Sequence, residues 1–187
     1  MSKGLLIVLS GPSGVGKGTI YARLLKELSN LSVSISATTR KPRAGEEHGV
    51  HYYFVSREEF MAMRDEGKFL EWAVTVGNCY GTPSAPVFEK LNNGIDVLLE
   101  IDVKGAKQVK EAYPDCKTIF VLPPSKEELA KRLMGRGTET KEQVKARLEL
   151  ANSELMESEI FDYRVVNDNI DVAVNEVIDI IKQNKGE

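Results

Sequence analysis

The run Ser10-Gly11-Pro12-Ser13-Gly14-Val15-Gly16-Lys17-Gly18-Thr19 constrains this chain more than any other stretch. It follows the apolar residues 5–9 and precedes a helical pattern over 19–28. A buried strand, a glycine-rich loop and a helix, in that order, predict a phosphate-binding P-loop. Gly11, Gly14 and Gly16 let the backbone curl so that its N–H groups face an anion. The helix that follows adds the positive end of its dipole, and Lys17 supplies a flexible point charge. A plain glycine turn is the rival reading, but strand, spacing, lysine and helix agree against it. In the usual pattern G-x-x-x-x-G-K-[ST], Gly18 stands where a hydroxyl is expected and Thr19 comes one residue late. Thr19 is therefore the loop's one candidate metal ligand.

Length and charge bound the rest. With 187 residues the chain is long enough for one α/β domain with insertions and a sizeable core. A net charge of −3 points away from nucleic acid and from anionic membrane as partners. Cys79 and Cys116 form no metal-ligand or CxxC spacing, which suggests a reducing compartment without a disulfide. The first apolar run is far too short to span a membrane and lacks a cleavage site. The cytoplasm is the expected location.

Along the chain, residues 5–9, 95–101 and 118–122 read as buried strands. Residues 33–36, 50–55, 69–76 and 162–167 read as further strands, and 77–83 as a turn. Capping boxes at Ser56-Arg57-Glu58-Glu59, Ser125-Lys126-Glu127-Glu128 and Thr140-Lys141-Glu142-Gln143 predict helix starts. Other helices are expected over 84–91, 105–112 and 172–181. Alternating strands and helices predict a parallel sheet with right-handed crossovers, and ligands beyond the carboxyl ends of its strands. The block 36–93 reads as a small β-rich insertion.

Several side chains outside the loop carry chemistry. Arg40 and Arg43 flank Pro42, and guanidinium forks pair bidentately with phosphate; a solvated charged loop is the bland alternative. Tyr52 and Tyr80 are either hydroxyl donors or packed aromatics. Arg132 and Arg136 are four apart and share a face if the helix persists. Arg147 follows on the next helix, with Glu127, Glu128, Glu142 and Glu149 near enough in sequence to pair with these arginines instead. Glu71 sits in Phe69-Leu70-Glu71-Trp72, either on a solvent face or buried for a purpose. His48 and His51 lack a third ligand and are read as neither catalytic nor metal-binding.

Taken in order, these motifs resemble guanylate kinase over nearly the whole chain. They are 10–19, Ser36-Ala37-Thr38-Thr39-Arg40-Lys41-Pro42-Arg43-Ala44-Gly45-Glu46, Tyr52, Glu71-Trp72, Gly77-Asn78-Cys79-Tyr80-Gly81-Thr82, Glu100-Ile101-Asp102-Val103-Lys104-Gly105, Gly135-Arg136-Gly137-Thr138-Glu139 and Val165-Val166-Asn167-Asp168. The resemblance implies an α/β P-loop fold with a parallel sheet core, a small mixed-β GMP-binding part and a helical lid. It implies transfer of a phosphoryl group from ATP to GMP, or to dGMP, with Mg²⁺. Its parts would be a core of 1–35, 94–124 and 160–187, a GMP-binding part of 36–93 and a lid of 125–159, forming one domain over 4–184.

The resemblance also assigns roles by position. Gly11, Pro12, Ser13, Gly14, Val15, Gly16, Lys17, Gly18 and Thr19 hold ATP, with Asn167 near its base. Arg40, Arg43, Tyr52 and Tyr80 hold the GMP phosphate. Ser36, Glu71, Thr82 and Asp102 surround guanine, with Glu100 beside them. Lys17, Arg40, Arg132, Arg136 and Arg147 are the catalytic cations. A carboxylate can accept from both N1 and N2 of guanine, whereas adenine presents the opposite pattern, so Glu71 argues against other monophosphates. Scaffold modules that resemble the family have degraded P-loops; Gly11, Gly16 and Lys17 are intact. Asp102-Val103-Lys104-Gly105 matches a GTPase D-x-x-G, but no N-K-x-D follows a buried strand, and Asn184-Lys185-Gly186-Glu187 ends in Glu.

Overall fold

Every residue of β1, Leu6–Ser10, is buried. Alternate side chains leave it in opposite directions. Leu6 and Val8 pack with Val97, Leu99, Val103, Ala106 and Phe120, while Ile7 and Leu9 pack with Ile20, Leu24, Val177 and Ile181. At about 1.5–3 kcal/mol for each fully buried aliphatic chain, this strand stays central only if helices cover both faces. The computed structural model, which describes residues 3–75, 77–134 and 141–186, has that arrangement. β1 pairs in parallel with β7 (Asp96–Glu100), Leu9 opposite Glu100, and with β8 (Lys117–Leu122), Ser10 opposite Phe120. β2 (Leu31–Val33) lies outside β7 and β9 (Tyr163–Val166) outside β8, giving the order β2-β7-β1-β8-β9. Helices α1 (Lys17–Glu27) and α7 (Ile170–Lys185) bury their apolar sides on one face. Helices α3 (Ser84–Asn92) and α4 (Val103–Ala112) cover the other. The predicted α/β class and parallel core are therefore found. Order reverses at β1, and the cleft beyond its carboxyl end is where a ligand belongs.

A second sheet, order β4-β3-β6-β5, comprises β3 (Ala37–Thr38), β4 (Tyr53–Phe54), β5 (Phe69–Thr75) and β6 (Asn78–Pro83). Helix α2 (Arg57–Asp65) packs on it through Phe60, which stacks on Phe69 with centroids 4.5 Å apart. Both halves of the predicted Ser56–Glu59 capping box form. At α5 (Lys126–Met134) the Glu128 N–H donates to Ser125 Oγ at 3.1 Å, while the Glu128 carboxylate turns to Arg132. Helix α6 (Lys141–Met156) and a 3₁₀ turn, Ser158–Ile160, lead into β9; its expected cap, Thr140, lies outside the described residues. Among the described residues no helix is long and apolar enough to cross a membrane. Cys79 and Cys116 are buried free thiols.

Three readings need correction. Residues 77–83, read as a turn, contain β6: the turn shrinks to Gly77 (φ 77°), and pairing with β3 and β5 on both sides overrides the weak strand propensity of Asn, Gly and Pro. The strand expected at 33–36 is instead two, β2 ending at Val33 and β3 beginning at Ala37, because the chain passes from one sheet to the other between them. Residues 50–55 give only Tyr53–Phe54, with an isolated bridge from His48 to Tyr52.

Candidate active site

The loop between β1 and α1 is built by close approaches that only glycine permits. Gly16 has φ 100°, and a Cβ there would lie 2.4 Å from Asn167 Nδ2. Gly11 has φ 140°, and its Cβ would lie 2.5 Å from the Val121 carbonyl oxygen. Asn167, buried at the end of β9, donates from Nδ2 to the Val15 carbonyl at 2.8 Å. The Asn167 carbonyl accepts from Arg132 Nη1 at 3.1 Å. Arg132 also donates from Nε to Glu128 at 3.1 Å, so its helix partner and its place beside the loop are both real. Arg147 reaches the loop from α6, Nη1 lying 3.4 Å from Ser13 Oγ. Lys17 Nζ donates to the carbonyls of Gly11 and Pro12. No side chain caps α1, which leaves its first N–H groups directed at the loop cavity. Pro12, Ser13, Gly14, Gly16, Lys17, Gly18, Thr19 and Glu100 line a cleft of about 340 Å³. Arg136 lies outside the described residues.

A second cleft, about 200 Å³, opens on the other side of Glu100. Ser36, Tyr52 and Thr82 line it with Tyr21, His51 and Glu100. Glu71 is only 7% exposed, and its Oε1 accepts from Thr82 Oγ1 at 2.6 Å. Burial pushes its carboxyl above the usual range, and the Asp102 charge adds to that. Asp102 caps α4, accepting from the Gly105 N–H at 2.7 Å. Gly105 brings that helix end against Glu71: a Cβ there would lie 3.0 Å from Glu71 Oε2 and 3.4 Å from Asp102 Oδ1. Burial by the surrounding chain also raises Glu100, opposed by the Lys17 charge.

At the outer end, Arg40 pairs with both oxygens of Glu46, Nη1 to Oε2 and Nη2 to Oε1, each at 2.9 Å. The Arg40 guanidinium lies 5.5 Å from the centre of the Tyr52 ring, and Tyr52 meets Tyr80 edge-on at 6.3 Å. Arg43 is exposed, with its N–H on Glu46 Oε2 at 2.7 Å.

Of the residues singled out in the sequence, Pro12 to Gly14 and Gly16 to Thr19 line the first cleft, Ser36, Tyr52 and Thr82 line the second, and Glu100 lines both; Arg40, Arg43, Glu71, Tyr80, Asp102, Arg132, Arg147 and Asn167 are not among the residues lining either. Three further residues take part. Glu46 is an acid six residues after Arg40 in a basic stretch, a spacing that signals a turn-closing pair. Tyr21 is one helical turn past Lys17; burial first, and Glu100 second, push its hydroxyl up to about 12. Gly105 stands in the Asp102–Gly105 motif, but its neighbours in sequence do not show why glycine is needed there, because the contact that needs it is with Glu71, on another element.

Comparison with known proteins agrees with this geometry. The family model described as guanylate kinase matches residues 3–184. The guanylate kinase of Prochlorococcus marinus subsp. pastoris is 52% identical over 177 residues, covering 95% of this chain and 96% of that protein. That of Clostridioides difficile is 50% identical over 185 residues, 99% of this chain and 90% of its own length. A crystal structure of guanylate kinase from Anaplasma phagocytophilum superposes with a TM-score of 0.78 at 34% identity, over 100% of this chain and 89% of that one. By fold, by motif order and by full-length identity, this chain belongs to the guanylate kinase family.

Proposed function

We propose that the chain transfers the terminal phosphoryl group of ATP to GMP, giving ADP and GDP, and accepts dGMP as well. The observation that carries this reading is the shared wall. Glu100 lines the loop cleft and the Ser36–Tyr52–Thr82 cleft alike, so two ligands seated there are immediate neighbours.

On this reading the loop N–H groups, Lys17 and the α1 N-terminus hold the ATP phosphates, with the Asn167 segment beside the adenine. Arg40, Arg43, Tyr52 and Tyr80 hold the GMP phosphate. Glu71, supported by Thr82, accepts from guanine N1 and N2; Ser36 and Asp102 complete the base site. The attacking atom is a phosphate oxygen that is already anionic, so no strong general base is needed. Rate comes from alignment and from charge neutralisation by Lys17, Arg132, Arg136 and Arg147. We take 1–35, 94–124 and 160–187 as core, 36–93 as the GMP-binding part and 125–159 as a lid. Closing the lid excludes water that would otherwise accept the phosphoryl group.

Mg²⁺ enters with ATP. Among the described residues no three His, Cys, Asp or Glu form a metal cluster. Mg²⁺, however, takes most of its ligands from phosphates and water. Thr19 and Glu100, both in the loop cleft, are hard oxygen donors that fit the remaining positions. When bound, the ion neutralises charge on the transferring phosphates. Reduced thiols and the small negative net charge fit a cytoplasmic enzyme. The test is ADP release with GMP, dGMP, IMP, AMP and UMP as acceptors. GMP and dGMP should turn over and AMP and UMP should not; no GMP-dependent release refutes the proposal.

A further inference from the structure

Arginine has four rotatable side-chain bonds and carries about 2 kcal/mol of rotamer entropy. An arginine that must meet a phosphate in one orientation gains if that freedom is removed beforehand. Arg40 is so restrained. It donates twice to Glu46 at 2.9 Å, and from Nη1 to the Lys41 carbonyl at 2.7 Å. Its guanidinium packs over the Tyr52 and Phe54 rings, at 5.5 and 5.8 Å from their centres. Glu46 is itself anchored: Oε2 accepts the Arg43 N–H at 2.7 Å, and its own N–H donates to the Arg43 carbonyl at 3.0 Å. Gly45, at φ 84°, makes the turn that brings the acid back. The side chains of the pair are 16% and 18% exposed, so this is no ordinary surface contact. Arg40 and, secondly, the Arg43 N–H hold the Glu46 carboxyl down to about 2, so it is ionised at every working pH.

We propose that Glu46 is a positioning residue for the acceptor phosphate, fixing the plane and direction in which Arg40 meets the phosphate of GMP. This rests on the reading of Arg40 as a phosphate ligand. The carboxylate has two consequences of opposite sign. It aligns Arg40, which strengthens binding. It also cancels one of the two arginine charges, which weakens attraction for a dianion. If charge alone mattered, removing the acid would improve GMP binding.

That opposition makes the test decisive. Glu46→Gln keeps the size but cannot accept from both guanidinium nitrogens; Glu46→Asp keeps the charge with a shorter reach. Initial rates are measured against GMP at saturating ATP, and against ATP at saturating GMP, with melting curves for each variant. With alignment lost, the KM for GMP in Glu46→Gln should rise about tenfold, while the KM for ATP and kcat stay within about threefold. Glu46→Asp should recover part of the loss. A KM for GMP that is unchanged or lower in Glu46→Gln overturns the inference while wild-type turnover upholds the site reading. An equal fall in every parameter, with a lowered melting temperature in both variants, reveals a purely structural acid and also overturns it. A wild-type enzyme that does not use GMP overturns the acceptor-site reading, and this inference with it.

Discussion

Glu71→Gln is the sharpest perturbation of the base site. Thr82 Oγ1 donates to Glu71 Oε1 at 2.6 Å in a buried setting, and that contact selects the oxygen end of the new amide. The amide nitrogen then takes the Oε2 side, against guanine's donors. One charge-assisted hydrogen bond, worth about 1.5–3 kcal/mol, becomes two donors face to face, and leaving a group unpaired adds about 1–3 kcal/mol. A combined loss of about 3–4 kcal/mol corresponds to roughly 10²- to 10³-fold in kcat/KM for GMP. Coupled ADP release with GMP, IMP and AMP reads this directly. IMP lacks the 2-amino group, so it should lose less than GMP; AMP should stay inactive, and the KM for ATP should hold. An equal loss for all acceptors, or a GMP loss under about tenfold, refutes the bidentate reading of Glu71. The same residue carries a pH signature. Its folded carboxyl lies above the ordinary glutamate value of 4.5, through burial first and, among the charges, Asp102. The folded state therefore holds the proton where the unfolded state has released it, and stability falls as pH rises through that window. Glu71→Gln should match or exceed the wild type in melting temperature at neutral pH, with the gap closing below 4.5. GMP use by the wild type should decline as pH falls through the raised value, since only the ionised acid accepts both bonds.

Other outcomes follow from the same geometry. Lys17→Ala should nearly abolish turnover while leaving the melting temperature within a few degrees, because its ammonium donates to the Gly11 and Pro12 carbonyls at the loop rim and not into the core; loss of folding in circular dichroism would contradict this. Gly18→Ser should fold normally, since the nearest atom to a Cβ there is Glu100 Oε1 at 4.0 Å, and should lower the Mg²⁺ concentration for half-maximal rate; an unchanged Mg²⁺ titration would exclude a metal role for that position. Asp162→Asn should lower stability by about 1–3 kcal/mol at neutral pH, because Asp162 accepts from Lys110 at 2.8 and 3.0 Å and from the Thr118 N–H and hydroxyl. Partial burial raises that carboxyl, but Lys110 and Thr118 outweigh it and hold it below the usual range. Its contribution is therefore present above pH 3.8 and lost as pH falls through the folded value, so melting curves of variant and wild type should converge in strong acid.

Local order was the readable part of this fold. The P-loop, the Ser56 capping box and the three buried strands of the core carry their instructions in adjacent residues. A continuous apolar run needs cover on both faces, and a serine three residues before a glutamate opens a helix. The second sheet was read poorly for the opposite reason. Asn78-Cys79-Tyr80-Gly81-Thr82-Pro83 has turn composition and becomes a strand only because β3 and β5 flank it. Among candidate site residues, Arg132 was legible as a loop neighbour only through resemblance; its contact with the Asn167 carbonyl spans 35 residues.

By itself the sequence determined that a phosphate-binding loop follows a central strand, and that arginines, tyrosines and one apolar-flanked acid are available to a second ligand. The glycine spacing before Lys17 and the unbroken apolar run of β1 are written in adjacent residues; the partners that Gly11 and Gly16 meet, Val121 and Asn167, are not. Tertiary structure alone decided that Glu71 is buried against Thr82 and the Gly105 end of α4, and that Glu100 lines two clefts. Each of these depends on distances across elements far apart in sequence. Long-range packing, not local propensity, selects which of a charged residue's alternative partners it meets.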